Sequence, residues 1–145
     1  MKKYFYCIAV AIVLLSATAC KKSSTASPAN SLAAVNANWK NTNWGGAANN
    51  DIVIKIDQAA ANGVIQSIGA QTFNFAVNET ILSNITATGN ASVFNSAAIF
   101  KYGSNNQSTA NTTATITLQN SGAQILIHYT AAQGIQPPDY IYTKQ

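Results

Sequence analysis

The chain has 145 residues, 48% of them hydrophobic and 8% charged, which is enough for one domain with its own core and too apolar for a disordered one. All eight basic residues are Lys and His128 is the single histidine, so chemistry built on arginine clamps is excluded and little material exists for a metal cluster or an acid/base centre. The net charge of +4 resides in the leading segment, because beyond residue 22 Lys40, Lys55, Lys101 and Lys144 balance Asp51, Asp57, Glu79 and Asp139. A nucleic-acid surface needs a basic face that displaces counterions, and this balanced remainder supplies none.

Lys2 and Lys3 precede an apolar run from Tyr4 to Leu15, followed by Ser16-Ala17-Thr18-Ala19-Cys20, the three-part layout of an export signal over residues 1–19. A run of this length cannot cross a bilayer, which takes roughly 20 apolar residues. The small residues ahead of Cys20 resemble the lipobox of bacterial lipoproteins, with Ala17 standing where Leu is usual. That resemblance implies cleavage before Cys20 and diacylglyceryl modification of its thiol, each buried CH₂ of the acyl chains adding about 0.8 kcal/mol of membrane affinity. Ala17-Thr18-Ala19 also fits ordinary signal peptidase, which would instead release a soluble chain with a free thiol at Cys20. Cys7 leaves with the signal on either route, so no disulfide and no further thiol remain. Residues 20–30 read as the lipidated Cys and a Ser/Ala/Pro-rich tether, and residues 31–145 as a single domain. Lys21, in place of the Asp that marks inner-membrane retention, resembles the outer-membrane-sorted kind of lipoprotein, facing the periplasm or the cell surface.

From about Trp39 the chain alternates apolar and polar residues in short runs separated by turn signals, the pattern of an antiparallel meander. Ile52, Ile54 and Ile56 share one face, and Asn62-Gly63 reads as a hairpin turn into Val64-Ile65. Phe73, Phe75 and Val77 form the next inward set, before Asn78-Glu79 turns the chain into a strand over 81–88 and Gly89-Asn90 turns it again. Phe94, Ala98, Phe100 and Tyr102 share a face. A polar loop over 103–110 leads to Ala114, Ile116 and Leu118 alternating with threonines. Asn120-Ser121-Gly122 closes that hairpin into a strand over 124–130, with Ile125, Ile127 and Tyr129 on one face and His128 on the other. A loop over 133–138 precedes the closing strand Tyr140-Ile141-Tyr142.

The expectation is an all-β fold: an antiparallel up-and-down meander forming a small barrel of eight or nine strands, with a β-sandwich as the alternative. Runs of six to eight residues are too short for a transmembrane barrel, whose strands need about 10. A Trp at the start of the first strand, followed by a meander of this size over residues 37–143, resembles the small lipocalin-like lipoproteins of diderm bacteria, with Ala37 where the lipocalin G-x-W motif has Gly. This resemblance implies a lipid-anchored, non-enzymatic envelope protein, monomeric, binding a small hydrophobic or glycan ligand and no nucleic acid. A different class of function, a structural or adhesive module pairing through strand edges, is suggested by the scarcity of charged residues to guard those edges.

Candidate ligand-binding residues are Trp39, Trp44, Phe73, Phe75, Phe100 and Tyr102: indoles among amides suit sugar stacking, and inward aromatic rings suit an apolar ligand, although core packing accounts for the same residues. Lone His128 comes with no nucleophile or orienting carboxylate that the sequence places beside it, and no catalytic residue is assigned. Asn49, Asn50 and Asp51 offer oxygens without the alternate spacing of a cation loop, so neither a metal nor a cofactor is expected.

Overall fold

A computed structural model describes residues 31–41, 51–69, 74–103 and 107–145. Eight antiparallel strands close into an up-and-down barrel in which each strand pairs with its sequence neighbours and the last returns to the first. The strands are β1 (Ala37–Asn41), β2 (Ile52–Asp57), β3 (Asn62–Ser67), β4 (Thr80–Ala87), β5 (Val93–Tyr102), β6 (Ser108–Gln119), β7 (Gln124–Tyr129) and β8 (Tyr140–Lys144). The seam between β1 and β8 pairs Trp39 with Lys144 and Lys40 with Thr143. It is extended by the Gln145 amide donating to the Asn38 carbonyl and by the Asn41 side-chain amide donating to the Ile141 carbonyl at 2.8 Å. The closed barrel, rather than the sandwich, is therefore the architecture, and closure leaves each described strand bonded on both sides.

The alternation of Ile52, Ile54 and Ile56 drives this closure, since all three side chains point into the barrel and are fully buried. Phe94, Ile116, Ile125, Ile127, Tyr129 and Tyr142 fill the interior from the other strands. Short connections after β2, β4 and β6 gather at one end, where the 3₁₀ turn Leu32–Ala34 packs partly buried against the core. We call this the closed end. β3, β5 and β7 end at the opposite, open end.

Three local expectations are corrected. The turn does not fall at Asn62-Gly63; those residues are already in β3, opposite Asp57 and Ile56. The chain reverses over residues 58–61, where the Asp57 carboxylate accepts from the Ala60 and Ala59 amides and Ala61 takes a positive φ of 50°. Those two amides, Ala60 first, hold the Asp57 carboxyl below its ordinary range. Gly63 serves packing instead: a Cβ there would lie 2.9 Å from Leu82 Cδ1 on β4. Second, residues 74–79 form a turn rather than a strand, so Val77 is 50% exposed instead of facing inward. Asn78 takes a φ of 71° and the Glu79 carboxylate accepts from the Ala76 amide, which breaks the two-residue period after Phe75. Third, the polar loop ends earlier than expected, because β6 starts at Ser108 and Ala110 is its first buried residue. Two irregularities bend β4: a register shift against β3 at Ile81, where Ile81 and Leu82 are both buried, and one against β5 around Asn84, which takes a φ of 52° before Ile85 returns to the core.

Candidate functional site

The open end holds a cup of about 260 Å³. Its inner wall is the aromatic residues that the period of two sends inward at the ends of β5, β7 and β8: Phe100 and Tyr102, Tyr129, and Tyr140. Their rings form a connected ladder. Phe100 lies 5.8 Å from Tyr102 and 6.5 Å from Tyr129, and Tyr129 meets Tyr140 edge to face at 5.9 Å, which are the separations at which aromatic quadrupoles attract. The loop after β7 supplies the other wall with Ile135, Gln136, Pro137 and Pro138. The Gln136 amide anchors this loop by donating to the Tyr129 carbonyl at 2.7 Å and to the Pro137 carbonyl at 3.1 Å.

Phe75 and Lys101 complete the rim. The Lys101 ammonium sits 5.0 Å from the centre of the Phe75 ring, donates to the Asn74 carbonyl, and lies 2.9 Å and 3.0 Å from the two Glu79 carboxylate oxygens. This cluster ties the turn over 74–79 to β5 and thereby holds Phe75 at the cup. Lys101 and Glu79 side chains retain only 12% and 21% exposure, so their attraction is less screened than that of a surface pair.

Burial sets the electrostatics of the phenols. Removal from water pushes the Tyr129 and Tyr142 hydroxyls well above the ordinary phenol range; Tyr140 adds to the rise of both, and Tyr129 adds to that of Tyr142. Burial raises Tyr140 in the same direction. These hydroxyls are thus neutral donors and acceptors, not bases.

Of the residues singled out from sequence, the structure brings Phe75, Phe100 and Tyr102 together at the cup. Trp39 is elsewhere: it is fully buried, its indole N–H donates to the Val35 carbonyl at 2.8 Å, and it ties the 3₁₀ turn to the barrel. Cys20, Trp44, Phe73, Asn49 and Asn50 lie outside the described residues. Sequence reasoning missed Lys101, Gln136, Tyr129 and Tyr140 as wall residues, and Glu79 as the partner of Lys101. Tyr129 and Tyr140 were findable, since pairing β7 with β8 in register puts Ile127 opposite Tyr140 and brings both tyrosines to one end.

The same register places His128 opposite Asp139, and their side chains meet at 2.6 Å on the outer wall, each about half exposed. Neither lines the cup. Among the described residues no group of three or more His, Cys, Asp or Glu is arranged to hold a metal ion. Comparison with protein-family models, curated proteins and solved structures finds no significant match.

Proposed function

We propose that this chain is a lipid-anchored protein of the outer membrane of a diderm envelope, held by Cys20, whose barrel receives a small hydrophobic or glycan ligand and performs no chemistry. The observation that carries the receptacle reading is the aromatic cup at the open end. The anchor rests on the sequence around Cys20. Closure of the barrel favours this reading over an adhesive module, because edge pairing needs unpaired strand edges and each described strand is bonded on both sides. The His128 and Asp139 pair on the outer wall stands apart from the cup, which favours binding over hydrolysis.

Native mass spectrometry of the chain lacking residues 1–19, before and after exposure to an envelope extract, tests the receptacle. A stoichiometric small-molecule adduct is expected, and an unchanged mass at saturating extract would refute it. Membrane fractionation of the full chain against Cys20→Ser tests the anchor: the variant is expected in the soluble fraction, and equal retention of both would overturn lipidation.

A further inference from the structure

We propose that the cup admits an uncharged, hydroxyl-bearing molecule of about one ring and rejects carboxylates, because the cation on its wall is already neutralised within the protein. This rests on the receptacle reading above and adds a ligand class to it.

Lys101 is the one Lys, Asp, Glu or His among the described residues that line the cup. A free ammonium in such a place would recruit an anionic head group. Here the ammonium is already committed within the protein: it donates to Glu79 Oε2 and to the Asn74 carbonyl, lies 2.9 Å from Glu79 Oε1, and faces the Phe75 ring. Glu79 is itself fixed, since its Oε2 also accepts from the Ala76 amide at 2.9 Å. An entering carboxylate would either leave water without a counter-charge or displace Glu79 and break the turn that carries Phe75. Both routes are penalised, because an ion in an apolar site is tolerated only when paired.

A neutral ring meets no such penalty. The faces and edges of Phe100, Tyr102 and Tyr140 offer stacking surface, and Pro137 offers an apolar plane. Polar recognition falls to the phenol hydroxyl of Tyr102 and to Gln136, whose amide nitrogen is spent on the Tyr129 and Pro137 carbonyls, so that its carbonyl oxygen is what that side chain can still offer. An acceptor selects a ligand with a hydroxyl donor. The volume of about 260 Å³ lies just below the range of roughly 300–1,000 Å³ for drug-sized ligands, which limits the guest to one ring with a short substituent.

The test titrates the chain lacking residues 1–19 with benzyl alcohol and with benzoate, a neutral and an anionic probe of matched size, following the ring resonances of Tyr102 and Tyr140 by nuclear magnetic resonance. Benzyl alcohol is expected to bind at least about tenfold tighter, a difference of about 1.4 kcal/mol. In Glu79→Gln, which keeps an acceptor for the Ala76 amide but unmasks the ammonium, the preference is expected to reverse. Removing both charges in Glu79→Gln with Lys101→Met is expected to restore it. Circular dichroism checks that each variant is folded, and the wild-type comparison decides the question even if one is not. Benzoate binding as tightly as benzyl alcohol to the wild type would overturn the selectivity and leave the receptacle standing. Failure of both probes to shift either ring at millimolar concentration would refute the receptacle and the selectivity together.

Discussion

Raising the pH should unfold this barrel through its interior phenols. Tyr129 and Tyr142 are essentially inaccessible to solvent, and burial raises both above the ordinary phenol value of about 10. Below that value native and unfolded chains both hold the two protons, and the pair has no effect on the pH dependence. Above it the unfolded chain releases protons that the native barrel retains, so stability falls as pH rises toward the folded values. Each retained proton costs about 1.4 kcal/mol per pH unit, giving a combined slope of about 2.7 kcal/mol per unit for the two phenols. Against a domain stability of about 5–15 kcal/mol, roughly two units beyond pH 10 suffice to unfold a barrel at the low end of that range. Tyr140, raised by partial burial, steepens the loss in the same direction. Urea titrations at stepped alkaline pH measure the slope, and phenolate absorbance followed beside circular dichroism shows when the protons leave. In Tyr129→Phe the slope is expected to fall by about half, to roughly 1.4 kcal/mol per unit. Phenolate formation by all tyrosines with the β signal intact, or an unchanged slope in Tyr129→Phe with Tyr142→Phe, would refute this account.

Gly63→Val pushes a branched side chain into Leu82, which already lies 2.9 Å from the position of a Cβ, and is expected to cost about 1–3 kcal/mol by urea midpoint. Trp39→Phe leaves the Val35 carbonyl without its indole donor and is expected to cost about 1–3 kcal/mol on the same measurement. In Trp44→Phe, where Trp39 is the sole remaining indole, iodide is expected to leave the fluorescence unquenched, because Trp39 is 0% exposed. His128→Ala is expected to shift stability by less than about 1 kcal/mol, since its contact with Asp139 is half exposed and solvent screens it.

The barrel was legible because its strands are amphipathic with a strict period of two, as in Ile52, Ile54 and Ile56, and because turns such as Asn120-Ser121-Gly122 carry residues suited to positive φ; Asn120, Ser121 and Gly122 all adopt it. The Asn62-Gly63 expectation failed for a physical reason. A glycine serves a turn or a close approach equally well, and only the position of Leu82 shows that this one serves the approach. Phe75 followed the inward pattern while Val77 did not, because the period ends where Glu79 folds back onto the Ala76 amide. At the site, the aromatic rings were visible as inward residues of strands. The pairing of Lys101 with Glu79 was not, for it joins a turn to a strand 22 residues away, and local periodicity says nothing about such contacts. His128 and Asp139 became neighbours only once the register of β7 and β8 was known.

The placement of the chain ends gives the proposed anchor a direction. Residue 31 enters at the closed end, beside the 3₁₀ turn, and the C-terminus returns there through the bond from Gln145 to Asn38. The cup opens at the other end, and the 12 residues of β6 run between the two ends. At about 3.3 Å per residue and a tilt of about 35–45°, that strand spans roughly 30 Å along the barrel axis. Residues 21–30, read as a Gly/Ser-like coil, would have a mean span of only about 18 Å. Bringing the cup to the anchoring leaflet would require this tether nearly fully extended along the wall, at an ordering cost of about 1–2 kcal/mol for each residue fixed. On the proposed anchoring, the mouth is therefore held away from the lipid that carries it, and its guests arrive from water instead of sideways from the bilayer. A neutral, hydroxyl-bearing ring is soluble enough to make that journey and apolar enough to leave water for the aromatic wall.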